Sequence, residues 1–215
     1  FTMNFSNPNL TGMFLLQSVF YCTVGLFLFK KVLAKIFCVF LMLIDYWLMV
    51  NTDARNCIIA HILFLIVVLL CVIRKKRMLK KWMLFFFVSF PLVFMGGYLI
   101  FIEKINTFSW LKFLVKDGKN MDSRMGIWLY ILNKLKGHYF FGDYYIIGGN
   151  AHNSHLSIWS SFGGIVLVLS MIFIYRCMKD INSNIAKLEN EICLAAFCGT
   201  LFMGIAEGAL FCGSL

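Results

Sequence analysis

The feature that most constrains this chain is a succession of apolar runs, each about as long as a bilayer is thick. A helix rises about 1.5 Å per residue, so roughly 20 apolar residues cross a hydrocarbon core of about 30 Å. Six such runs occur, at about 10–29, 32–50, 55–73, 82–102, 156–175 and 192–212. The composition agrees, with 61% of residues hydrophobic and 14% charged, where soluble domains run nearer half apolar and about a quarter charged. The expected fold is all-α. It is a polytopic transmembrane helix bundle of about six spans, one membrane domain over 1–215, with a long segment at 103–155 that holds short interfacial helices.

Charge sets the orientation. The formal net charge of +10 would suit nucleic acid only as a basic face on a soluble fold. Here the positive residues fall between apolar runs, and no nucleic-acid partner is expected. Lys30, Lys31 and Lys35 sit at the first hairpin, and Arg74, Lys75, Lys76, Arg77, Lys80 and Lys81 between the third and fourth runs. Arg176, Lys179 and Lys187 lie between the fifth and sixth. These three connections hold 12 of the 20 Lys and Arg residues and alternate along the chain, so the positive-inside rule makes them cytoplasmic. The other face then holds 1–9, the turn at 51–53 and the long segment, which length exempts from the charge rule. Trp82, Tyr98, Trp110 and Trp159 fall near the expected interfaces, as aromatic belts do.

The eight cysteines form no CxxC pair and show no metal-ligand spacing. Inside apolar runs a thiol acts as a small hydrophobe, and no metal or other cofactor is expected. The first run lacks a basic leader and a small-residue cleavage site, so it does not resemble a signal peptide. The sequence opens on Phe1 rather than Met, and we expect a fragment whose earlier membrane helices are absent.

The long segment has its own pattern. Residues 108–115 are nearly all apolar, and 116–120 form a polar turn with Gly118. Ile127, Ile131 and Leu135 then recur with Trp128 and Leu132 beside them, which predicts a helix with a broad apolar face. It is too short to span, so it is expected to lie on or dip into the interface. Gly142, Gly148 and Gly149 lead from it to residues 150–155.

Several residues here can carry chemistry. Asp122 or Ser123 suits the N-cap of that helix, which puts Arg124 in the first turn. A cation there opposes the helix dipole, unless an anion shares the site with the free backbone N–H groups. The alternative is an arginine solvated at the headgroup layer. Arg55 opens the third run, where a guanidinium is costly unless it snorkels, pairs or meets a ligand. Either Asp53 partners it, or it is a second anion-binding arginine, whose planar fork suits phosphate. His152, Asn153, Ser154 and His155 precede the fifth run. Histidine takes a proton from a hydroxyl near neutral pH, while a polar cap on the next helix is the plainer role. Asp45 and Glu207 lie within runs, where carboxylates have functional or paired roles. His61 is expected to be buried and hydrogen-bonded, and His138 exposed.

The order of these motifs resembles the C-terminal conserved part of the bacterial O-antigen ligase and polysaccharide polymerase superfamily. The likeness runs through Asn7-Pro8-Asn9, Thr52-Asp53-Ala54-Arg55, Ser123-Arg124 with Trp128, and Phe141-Gly142. It closes on His152-Asn153, Leu156 and Gly163-Gly164 opening the next span, and covers about residues 4–175. Two positions depart from the usual pattern: Ala54 replaces a serine before Arg55, and Gly148-Gly149 is shifted close to His152.

The resemblance implies a metal-independent membrane glycosyltransferase of the bacterial inner membrane, with its active face outward. Its donor would be a glycan linked to undecaprenyl pyrophosphate, and its acceptor a glycan or lipid. Arg55 and Arg124 would hold the pyrophosphate, and His152, helped by Asn153, would orient or deprotonate the acceptor hydroxyl. Asn9, Trp128 and Asp45 complete the set expected to contact substrate. Two other classes compete. A transporter or flippase of lipid-linked oligosaccharide would carry more charge along its spans. A non-catalytic membrane anchor module would not require paired arginines on an elaborate outer segment.

Overall fold

The computed structural model describes residues 8–52, 55–74, 79–105, 122–143, 151–183 and 188–205. Within them the chain forms seven helices and no strand. They are α1 (Pro8–Leu28), α2 (Val32–Asn51), α3 (Arg55–Arg74), α4 (Lys81–Ile105), α5 (Asp122–Lys134), α6 (Ser154–Ser183) and α7 (Leu188–Met203). Four of them, α1, α2, α4 and α6, are long and apolar enough to cross a membrane. The runs expected at 55–73 and 192–212 coincide with shorter apolar stretches, Cys57–Leu70 in α3 and Asn190–Met203 in α7.

Local chemistry explains the boundaries. Lys31, in extended backbone, precedes α2, and at the other end the Thr52 N–H reaches Leu48 O at 2.9 Å while its hydroxyl donates to Met49 O. Pro91 sits inside α4. Proline removes one helical N–H, and membrane helices tolerate this where neighbours satisfy the freed carbonyl. Helix α6 continues to Ser183, well past the end expected near 175, so Arg176 and Lys179 extend the helix instead of forming a loop. Helix α7 stops at Met203, short of the expected 212, because a turn begins at Gly204 whose carbonyl is taken by Ser154.

The apolar side chains are turned outward to a degree that water does not permit. Only 17% of the α2 span is buried, and Leu33, Ile36, Phe40, Leu43 and Trp47 are all exposed along it. Soluble monomers seldom expose a contiguous apolar surface beyond a few hundred Å². An apolar medium around α2 resolves this, and it is the simplest physical argument for a membrane protein.

The chain divides into two compact units. The first comprises Phe1–Leu84 and Arg176–Met203. In it α1 packs on α2 and α3 on α7, around Leu16, Val19, Phe64, Leu194 and Cys198, with the Phe20 and Phe64 rings 4.5 Å apart. The Asn182 amide donates to Leu79 O at 2.9 Å and ties the end of α6 to the segment before α4. The second unit comprises Phe85–Tyr175 and Gly204–Leu215. Its core joins Met95 and Tyr98 of α4, Trp128 and Ile131 of α5, Leu135, Ala151, and Leu156 of α6. The apolar face of α5 is therefore buried against protein. Its buried stripe is Trp128, Ile131 and Leu135, with Ile127 and Leu132 on the flanks, as a 3.6-residue period requires.

Candidate functional site

The second unit builds an ordered frame around His152. On one side the Trp128 indole N–H donates to Ala151 O at 2.9 Å, and the Tyr98 ring meets Trp128 edge-on at 5.9 Å. Trp128 is buried, so it holds the chain before His152 instead of offering a surface to substrate. On the other side Asn153 is fully buried and caps α6: its Oδ1 accepts from the Leu156 N–H at 3.0 Å, the N-cap to N3 bond. Its amide nitrogen donates to Pro91 O at 3.0 Å and to Ile205 O at 3.4 Å. The Ser154 N–H adds a bond to Gly204 O at 2.8 Å. His155 is buried beside the Val88 backbone of α4.

Between these fixed neighbours His152 adopts φ +49°, the one positive φ at a non-glycine residue among the described residues. Left-handed backbone costs about 1–2 kcal/mol for a residue with a Cβ, and such strain persists only where the surroundings determine it. Here Ala151 and Asn153 do so. The imidazole is half-buried.

The other candidates distribute as follows. Arg124 is the third residue of α5, in the first turn as its neighbours suggested, although the helix already begins at Asp122. The first four N–H groups of a helix lack helical partners, so Arg124 shares its turn with backbone donors that the helix itself does not use. It belongs to the same unit as His152, Asn153 and Trp128. Arg55 is the first residue of α3 and Asn9 the second of α1, both in the first unit. The side chains of Arg124, Arg55 and Asn9, and Asp53, Glu207, 108–115 and the Gly148-Gly149 pair altogether, lie outside the described residues. Asp45 is buried in α2 of the first unit, its Oδ2 without a hydrogen-bond partner among the described residues.

Two further histidines can be placed. His138 is exposed. His61 is buried, but against the Tyr46 and Phe64 rings, and neither ring nitrogen has a hydrogen-bond partner among the described residues. Ring contacts hold it instead, which corrects the expectation of a hydrogen-bonded histidine. Cysteines 22, 38, 57, 177, 193 and 198 are unbridged, and no three His, Cys, Asp or Glu groups converge as metal ligands among the described residues.

Pro91, Tyr98, Gly204 and Ile205 shape this frame, and sequence reasoning did not mark them as parts of it. Only Pro91, alone inside an apolar run, carries a signal that could have found it. The burial of Asn153 gives a sharp prediction. Aspartate is as good an N-cap as asparagine on a surface helix. In this frame Asn153→Asp sets a carboxylate against two carbonyl oxygens away from water, so it is expected to destabilise the protein by about 3 kcal/mol. Asn153→Ala, which loses the cap but adds no charge, costs about 2 kcal/mol. Thermal unfolding in detergent reads both, and an Asn153→Asp protein as stable as the parent would mean that the site is open to water.

Searches against protein-family models, curated proteins and solved structures returned no match to this chain.

Proposed function

We propose that this chain is the membrane domain, or part of it, of a glycosyltransferase that polymerises or ligates glycans carried on undecaprenyl pyrophosphate. The enzyme would sit in the bacterial inner membrane with six spans and its site on the outer face. The observation that carries the reading is His152, held in a strained left-handed conformation between two anchored neighbours. Strain of that kind gathers at sites where a side chain must be presented in one direction.

In the proposed reaction the acceptor hydroxyl oxygen attacks the anomeric carbon of the donor sugar. The bond from that carbon to the pyrophosphate oxygen breaks, and undecaprenyl pyrophosphate leaves with the bonding electrons. His152 takes the hydroxyl proton, general-base help worth roughly 10²–10⁴-fold in rate. Arg124, with the N–H groups of the first turn of α5, stabilises charge on the leaving pyrophosphate. The resemblance gives Arg55 the same task. Asn153 and Trp128 act by holding the backbone on either side of His152, which revises the substrate contact expected of them.

Cells that depend on the full protein for surface polysaccharide test this. Arg124→Ala is expected to cut long-chain polymer at least 100-fold and to leave single lipid-linked units accumulating, with the protein present at parental level. Unchanged chain length and yield would remove Arg124 from the reaction.

A further inference from the structure

Helix α6 is broken within a segment long and apolar enough to cross a membrane. Gly163, nine residues into the helix, has φ 89° and ψ 169°, so the regular hydrogen-bond ladder is interrupted. The segment after α5 fills the break. Gly164 N–H donates to Tyr139 O at 2.8 Å and Ile165 N–H to Phe140 O at 3.3 Å, while Asp143 N–H donates back to Ser160 O at 2.7 Å. The Trp159 indole N–H also reaches Tyr139 O, at 3.0 Å. The backbone of 139–143 is thus stitched into the middle of a membrane-length helix. Phe140 and Phe141 are exposed, Phe141 at 80%, while the partly exposed Tyr139 ring lies 6.4 Å from that of Trp159.

We propose that this aromatic tip is a re-entrant lipid anchor, which dips below the headgroups and contacts the acyl chains of membrane phospholipid. Three observations carry it. The first is depth. Counted back from Arg176, a core of about 30 Å takes about 20 residues of α6, so at about 1.5 Å per residue the break lies roughly 10 Å inside it. The second is continuity, since Phe162, Ile165, Val168 and Leu169 of α6 are themselves exposed around the break, and Ile165 bonds to Phe140 through the backbone. The third is backbone chemistry. Irregular backbone survives at membrane depth only where its polar groups are satisfied by protein or line a cavity. The loop and the break satisfy one another at the N–H groups of Asp143, Gly164 and Ile165, which lowers the cost of setting aromatic side chains against lipid there. Exposed Lys134, Lys136 and His138 before the tip, and half-buried Asp143 after it, suit a segment that enters and leaves through the headgroup layer. The anchor does not depend on the chemistry proposed for His152.

Photo-crosslinking tests it. The full protein is reconstituted in vesicles of phosphatidylethanolamine and phosphatidylglycerol without polyprenol, carrying p-benzoylphenylalanine in place of Phe141. Phe173, exposed on α6, is the lipid-facing control position, and Asn133, exposed on α5, the control outside the tip. Position 141 is exposed, so the probe displaces no packing. Mass spectrometry is expected to find acyl-chain adducts at 141 and 173, at 141 at least five times the yield at 133. Adducts at 173 together with protein-only adducts or none at 141 would overturn the proposal. Lipid adducts at 141 that appear only when a polyprenyl phosphate is added would also overturn it, by making the tip a carrier-lipid contact.

Discussion

Gly163→Ala is expected to lower the thermal midpoint of the detergent-solubilised protein by roughly 10 °C, the shift that about 4 kcal/mol makes in a chain of this size. Two costs combine. At φ 89° and ψ 169° the backbone occupies a region open essentially only to glycine, worth about 1–3 kcal/mol when a Cβ is forced into it. The Cβ would also meet the Phe140 carbonyl oxygen and lie 2.5 Å from the Phe141 carbonyl carbon. Those are backbone atoms of a loop already committed to Gly164 and Ile165, so they cannot swing aside. Gly142 is the reciprocal partner: at φ +65° its Cβ would stand 2.5 Å from Gly163 N and 2.8 Å from Ser160 O. Gly126 supplies the control. It lies within α5 with open space around it, so Gly126→Ala is expected to stabilise by about 0.5–1 kcal/mol. If Gly163→Ala matched the parent, α6 would run unbroken and the loop would not be seated in it.

His152 is expected to separate stability from activity. A half-buried imidazole in left-handed backbone contributes little to packing, and His152→Ala keeps the backbone strain while removing the base. Its thermal midpoint should stay within about 3 °C of the parent, a change under about 1 kcal/mol, while glycan transfer falls at least 100-fold, the lower bound of general-base help. His152→Gly sharpens the contrast, because glycine adopts φ +49° at no steric cost. That variant should be as stable as the parent or more so, and equally inactive. A residue kept for structure would behave the other way, with glycine and alanine both costing stability and neither affecting transfer.

How far the sequence carried this is visible in particular residues. Helix ends were legible wherever charge or turn chemistry interrupts an apolar run: Lys30-Lys31 before α2, Thr52 after it, Arg74 at the end of α3, Lys81 at the start of α4. The end of α6 was not, because Arg176 and Lys179 are good helix formers and the helix continues through them. Gly163-Gly164 stood out in the sequence as the opening of a span. The pair lies instead inside one, since a glycine in an apolar run gives no sign of which loop will dock against it.

In the site, the placing of Arg124 in a first turn followed from Asp122 and Ser123 alone. The roles of Trp128 and Asn153 did not follow. Trp128 sits at core spacing with Ile131 and Leu135, and its partner, Ala151, is 23 residues away. The acceptors of Asn153 lie 62 and 52 residues away, at a proline and at the turn after α7. Local pattern reports a cap or an apolar stripe, and it is silent about which distant carbonyl completes the bond.

The most direct test of the central claim is reconstitution. The full protein, in vesicles, is supplied with an oligosaccharide on undecaprenyl pyrophosphate and no added metal, and the glycan products are sized. The parent is expected to join the oligosaccharide units into longer products and to release undecaprenyl pyrophosphate in step with each bond formed. With His152→Ala, as stable as the parent, both signals should fall at least 100-fold. Elongation that continues at the parental rate in His152→Ala, or a parent that moves the lipid-linked glycan across the bilayer without forming any glycosidic bond, would contradict it.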